Sequence, residues 1–273
     1  MSSSSLSNEK LDLIISIIKE KKELKGISDE IVIKELNKFL QQNPKLIKQL
    51  VEPKNIKKSN AVDLCKKEVR KVLRYYTGMF ELDNNKRTKL LNENKIDELL
   101  KTHLSTKERL NHYEQIYEQI FKITKKPKSI LDLGCGLNPL SLSLELMKNI
   151  EYFAADINQD DLEIVNEYFR KNKFKGDVFF YDLKNAKDEL PKTDICFLFK
   201  VLDLIDNKGH KNAEKVLNRV NSKFVVVSFP KITISGRKLT SPRNWLKLLI
   251  ERLKWKYDLF ETENEMFFVI KKS

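Results

Sequence analysis

Cysteine is scarce, and its placement argues against two functional classes. Cys65, Cys135 and Cys196 stand far apart in 273 residues, in no zinc-ligand spacing and with no disulfide framework. Long apolar runs are missing too. No stretch approaches a membrane span, and the opening MSSSSLSNEK has neither the basic segment nor the apolar core of a secretory leader. The expectation is a cytoplasmic protein with no metal and no membrane contact. Acidic charge is in the minority, 39 Asp and Glu against 52 Lys and Arg, which leaves a net +13 and points to a polyanionic partner. The excess is uneven. Residues 1–128 carry 28 basic and 18 acidic side chains, net +10, and the remainder only +3.

The front segment lacks β-branched alternation and reads as helices alone. Leu11, Ile14, Ile15 and Ile18 form one apolar stripe, and Ile31, Val32, Leu36, Phe39 and Leu40 form another. A helix from Asn60 to Tyr76 should bury Val62, Cys65, Val69, Val72 and Tyr76. Its other side lines up Lys66, Arg70 and Arg74, with Lys67 and Lys71 beside them and Lys57 and Lys58 just upstream. Such a cluster contacts phosphates, giving affinity without sequence choice; the plainer alternative is a solvated face. Asn94 with Asp97, and Ser105 with Glu108, fit capping boxes. The second opens a helix that runs towards Pro127 and carries Arg109 in its first turn.

The chain turns on Ser129–Leu140, SILDLGCGLNPL. An apolar strand is broken by Gly134 and Gly136, which let the backbone turn sharply and approach a ligand. Asn138 as cap and Pro139 as first residue then suit a helix start. The third glycine of a dinucleotide fingerprint is absent, since position 139 is Pro, so S-adenosylmethionine, which has no pyrophosphate, fits better. Two more apolar runs end in Asp156 and Asp182. Glycine loop, Asp and Asp at three successive strand ends describe one crevice, with the acids meeting ribose hydroxyls. The other reading is that both acids cap the turns that follow. Asp132, inside the strand, should orient the loop. Arg109 has two candidate partners, the methionyl carboxylate of the cofactor or an acid such as Asp132.

Strand and helix alternate from here, implying parallel pairing and right-handed crossovers. Thr193–Phe199 and Phe224–Ser228 are strands four and five. Helices are expected over 158–172 and 211–220 and from Ser241-Pro242 onward, and a terminal hairpin pairs 256–260 with 266–270. The fold class is α/β: a Rossmann-like, mostly parallel seven-stranded sheet of the class I S-adenosylmethionine-dependent methyltransferase type, with a C-terminal antiparallel hairpin. An all-helical module precedes it. The domains are expected at 1–102, a helical RNA-binding module, and 103–273, the Rossmann-like methyltransferase domain.

HLSTKERL at 103–110, SILDLGCGLNPLSL at 129–142, LFK at 198–200 and VVSFPKITISGR at 226–237 resemble the aminoglycoside-resistance 16S rRNA methyltransferases of the Arm, Rmt and Sgm type. The resemblance spans nearly the whole chain. It implies methyl transfer from S-adenosylmethionine to guanine N7 near the decoding site, by a monomer acting on 16S rRNA within the assembled small subunit. By position it implies cofactor contacts at Arg109, Gly134, Gly136, Asp156, Ile157, Asp182 and Leu183. It also places Lys200 close to cofactor and target, as a positioning residue rather than a general base. This chain departs from the family at KLTSPRNW and at VLDLIDNKGH after Lys200. Nine arginines among many lysines make a housekeeping rRNA modification a rival to drug resistance. Guanine N7 has no proton to remove, and the sequence has neither the Asn/Asp-Pro-Pro-aromatic motif of amine methyltransferases nor the Pro-Cys of C5-pyrimidine enzymes. Trp245, Phe229 and Tyr181 are candidates to stack on a flipped base, with core packing as the alternative.

Overall fold

The structure is a computed structural model and describes residues 6–52, 59–74, 82–185, 188–206, 209–232 and 243–272. The chain divides into two compact units, Met1–Glu81 with Asn158–Asp160, and Leu82–Ile157 with Asp161–Ser273.

The first unit holds α1 (Asn8–Lys19), α2 (Asp29–Gln42), α3 (Pro44–Val51) and α4 (Asn60–Leu73). Each helix buries one stripe: Ile14, Ile15, Ile17 and Ile18 from α1, Ile31, Val32, Leu36 and Leu40 from α2. In α4 the buried set is Ala61, Val62, Cys65, Val69 and Leu73, whereas Val72 is exposed. Three turns at 3.6 residues per turn span about eleven residues, which returns the stripe from Val62 to position 73 and not to 72. Tyr76 lies outside the described residues.

The second unit opens with α5 (Arg87–Asn92) and α6 (Ile96–Leu100), whose Leu91, Leu99 and Leu100 enter the core of the sheet. These two short helices therefore group with the sheet, and the compact division falls at 81/82. Neither capping box forms. Lys95 takes the cap position of α6 without a side-chain bond. His103 takes that of α7 (Leu104–Arg109), and Ser105 is buried inside the helix. The long helix expected from Ser105 is interrupted by a 3₁₀ turn at Leu110–His112, and α8 (Tyr113–Thr124) follows. Arg109 thus ends a short helix instead of beginning a long one.

The sheet order is β3-β2-β1-β4-β5-β7-β6, with β1 Ser129–Leu133, β2 Glu151–Asp156, β3 Lys175–Phe180, β4 Thr193–Phe199, β5 Ser222–Pro230, β6 Lys256–Glu261 and β7 Glu265–Lys271. β1 to β5 pair in parallel; β7 runs antiparallel to both β5 and β6. α9 (Leu144–Met147), α10 (Gln159–Asn172), α11 (Leu202–Ile205), α12 (Lys211–Arg219) and α13 (Asn244–Arg252) make the connections. The central strands are buried on both faces, which is why they read as unbroken apolar runs. Ile130, Phe197, Val226, Phe267 and Val269 pack on one face with Ile116, Tyr117 and Ile120 of α8. Leu131, Leu133, Cys196, Leu198, Val227 and Phe268 pack on the other with Val216 of α12 and Leu246 of α13. In such a sheet the site is expected outside the carboxyl ends of the parallel strands, where the order reverses. Here that is the point between β1 and β4. No helix among the described residues is long and apolar enough to cross a membrane.

Candidate active site

The loop after β1 is a backbone cradle. Gly134 (φ +71°) and Gly136 (φ +48°) both lie in the left-handed region. A Cβ on Gly134 would come within 2.7 Å of Val201 Cγ2, and one on Gly136 within 2.9 Å of His103 Nε2. The N–H groups of Gly134 and Cys135 donate to the Ala155 carbonyl (2.8 and 3.1 Å), and that of Gly136 donates to Asp156 Oδ2 (2.8 Å). Asp156, at the end of β2, accepts from the Ile157 N–H through its other oxygen, at 2.7 Å. Gly134, Gly136, Asp156 and Ile157 are thus brought together.

The cap assignment for Asn138 is overturned. Leu137 takes the cap position, and residues 138–141 form a 3₁₀ turn. The Asn138 amide turns inward and donates to Asp132 Oδ2 (2.8 Å), which also accepts from the Tyr152 hydroxyl at 2.7 Å. Asp132 therefore braces the loop from beneath. Burial pushes its carboxyl up to about 6, against the pull of the Asn138 and Tyr152 hydrogen bonds. Asp182 follows β3, half-buried, and accepts from the Lys184 N–H (3.0 Å) and the Asn185 amide (2.8 Å). Both bonds lie within its own turn. Leu183 beside it is buried.

HLSTKERL supplies a second group to this edge of the sheet, by a route its sequence does not disclose. Arg109, almost fully buried, pairs with an acid other than Asp132. Its Nε and one terminal nitrogen grip Glu265 of β7 at 2.9 and 3.0 Å, and its guanidinium lies 5.0 Å from the centre of the Phe199 ring. Lys200 follows β4 at φ +57° and is buried. Its backbone N–H donates to Ser228 Oγ (3.0 Å), and its ammonium is bonded to Glu108 and lies 3.4 Å from Glu265. Ser228 Oγ donates to Glu265 as well. Burial alone would raise the Glu265 carboxyl, yet Arg109 and Lys200 hold it below its ordinary value.

Glu265 is the residue sequence reasoning passed over. A signal for Glu265 exists: it is in phase with inward-facing Phe267 and Val269, an acid where alternation calls for an apolar side chain. His103 is buried, and desolvation, with the nearby charges of Arg87, Arg109 and Lys200, pushes its imidazole down to about 3. It is a neutral ring, unsuited to act as a base at pH 7.

The basic face of α4 is also rearranged. Arg70 donates to the carbonyls of Ile17 and Ile18 at the end of α1, Arg74 grips Glu23 at 3.0 Å, and Lys66 pairs with Asp63. Lys67 and Lys71 remain on the exposed side. Lys57 and Lys58 lie outside the described residues, as do 207–208 and 238–242 in the two stretches where the sequence departs from its resemblance. Of the stacking candidates, Tyr181 and Phe229 are buried core residues; half-buried Trp245 lies flat against His210, with ring centres 4.2 Å apart.

The crevice suits S-adenosylmethionine by its own chemistry. Two glycines leave no side chain in the cradle, and a carboxylate stands at the next strand end. A curated relative from Proteus mirabilis, named 16S rRNA (guanine(1405)-N(7))-methyltransferase, is 28% identical over 184 residues, 63% of this chain and 63% of its own. One of the same name from Frankia casuarinae is 25% identical over 181 residues, 65% of this chain and 64% of its own. The chain thus spans slightly less than two thirds of the length of these relatives. In fold it is similar to the crystal structure of the 16S rRNA methyltransferase RmtF in complex with S-adenosyl-L-homocysteine, with a TM-score of 0.78 over 97% of this chain and 99% of that one at 21% identity. The family described as Ribosomal RNA methyltransferase (FmrO) matches residues 92–269, a span that contains the glycine loop, both strand-end acids, Lys200 and Glu265. The chain belongs to the FmrO family of ribosomal RNA methyltransferases.

Proposed function

We propose that this protein methylates N7 of a guanine near the decoding site of 16S rRNA, acting as a monomer on the assembled small subunit. The observation that carries the reading is the glycine loop bonded to Asp156, inside the part of the chain that matches the family. S-adenosylmethionine supplies an electrophilic methyl on sulfonium sulfur. The residues proposed to hold it are Gly134, Gly136, Asp156, Ile157, Asp182 and Leu183. Arg109 is assigned to shape the site, because its guanidinium is already gripped by Glu265.

N7 attacks with an in-plane lone pair and loses no proton, so the reaction needs alignment and a tolerant charge environment more than a base. The crevice is consistent with that demand. His103 is neutral, Glu265 is engaged by two cations, and the Lys200 ammonium is fixed between two carboxylates. Lys200 is assigned to position the target or the cofactor. Lys67 and Lys71 are the α4 side chains best placed to meet rRNA phosphates. The discriminating experiment incubates the protein and labelled S-adenosylmethionine with isolated small or large subunits or with free 16S rRNA. Label confined to small subunits supports the proposal, and label on large subunits or on none of the three refutes it.

A further inference from the structure

The glycine loop is gripped from two sides, and one grip comes from outside the strand-end motifs. Val201, next to Lys200, closes on Gly134; the imidazole edge of His103 closes on Gly136, with Nε2 and Cε1 at 2.9 and 3.0 Å from where a Cβ would stand. His103 is not placed to yield. Its carbonyl accepts from the Lys107 N–H (2.9 Å) and the Thr106 hydroxyl (3.1 Å), anchoring it as the cap of α7. Thr102 beside it is clamped by buried Arg87, which donates to its hydroxyl (2.8 Å) and its carbonyl (3.3 Å) and reaches Asp161 of α10 at 2.6 Å. The chain that carries the imidazole is therefore tied to the helix that follows Asp156.

We propose that His103 is a positioning residue for the cofactor: its ring is the wall that sets the left-handed turn at Gly136 and, through it, the bond from Gly136 N–H to Asp156. This rests on reading the crevice as the S-adenosylmethionine site. A wall of this kind must be stiff and uncharged. A flexible side chain would let the loop relax, and a protonated ring would add a cation beside Arg87, Arg109 and Lys200, where the cofactor brings its own sulfonium charge. Burial keeps the imidazole neutral throughout the physiological range.

The test is a double-mutant cycle read by calorimetry with S-adenosylhomocysteine, with thermal melts on the same samples. His103→Ala should weaken binding by about tenfold or more, the loss expected from one displaced hydrogen-bonding loop. Gly136→Ala should weaken it further, since it adds both the clash and a left-handed alanine. The double variant should bind better than the product of the two effects, because removing the ring leaves backbone strain alone. Wild-type affinity in His103→Ala, or strictly additive effects, overturns the inference. If His103→Ala does not fold, His103→Asn takes its place in the cycle, with the same expected non-additivity and the same overturning result. Failure of the wild-type protein to bind S-adenosylhomocysteine overturns the reading of the crevice itself, and this inference with it.

Discussion

Arg109 and Glu265, 156 residues apart, form a bidentate ion pair from which water is almost entirely excluded. It ties α7 to the antiparallel strand β7, and with Lys200 and Ser228 it joins the ends of β4 and β5 into one charged network. Breaking such a pair from one side leaves a buried charge without compensation. Glu265→Gln should therefore lower stability by roughly 3–5 kcal/mol, measured by urea unfolding. A loss under about 1 kcal/mol, the value of an exposed pair, would show that water reaches Arg109.

The pH dependence of stability carries the mark of His103. Its folded-state value near 3 lies below the unfolded value of about 6.5. Between those limits the unfolded chain binds more protons, so stability present above about pH 6.5 declines on acidification by up to about 1.4 kcal/mol per unit. Asp132, raised to about 6, has the opposite slope: its contribution is full below about pH 3.9 and is lost as pH rises through 6. His103→Gln removes only the first. Unfolding of both proteins at pH 7, 6, 5 and 4 should show the variant gaining on wild type with each step down. A constant difference would mean that the imidazole titrates normally.

Legibility in the sequence followed the range of the interaction. The strands were visible because both sheet faces are buried, and Thr193–Phe199 falls where its apolar run does. The break between α7 and α8 was not, since no Gly or Pro marks Leu110–His112. The glycine loop and Asp156 were legible from strand-end spacing. Arg109 was found, but its partner was not, because a single sequence does not say which of several acids meets a given cation. Helical periodicity likewise put Arg70 and Lys67 on neighbouring sides of α4 without telling which side would meet the end of α1.

That distinction separates fold from binding in the first unit. Arg70 satisfies carbonyls at the end of α1, where a helix leaves its acceptors unmet and a cation is favoured. Arg70→Ala should cost roughly 1–3 kcal/mol of stability. Lys67→Glu with Lys71→Glu should leave stability within about 0.5 kcal/mol and weaken small-subunit binding. The slope of log K against log salt should fall by about one for each rRNA phosphate that a lysine no longer neutralises. An unchanged salt slope would place the RNA surface elsewhere.

Asp156→Ala removes the acceptor of the Gly136 N–H as well as the proposed ribose contact. Its affinity for S-adenosylhomocysteine should fall by roughly 10- to 100-fold, equivalent to about 1.4–2.8 kcal/mol. Equal affinity in calorimetry would remove Asp156 from the site.

The most direct measurement is the chemical identity of the product. Small subunits treated with the protein and S-adenosylmethionine are digested to nucleosides and fragments and analysed by mass spectrometry. The account predicts a single new 7-methylguanosine, in a fragment from the decoding region, formed at a rate that does not require a titrating base near pH 7. A methyl group on an exocyclic amine or on C5 of a pyrimidine would contradict it.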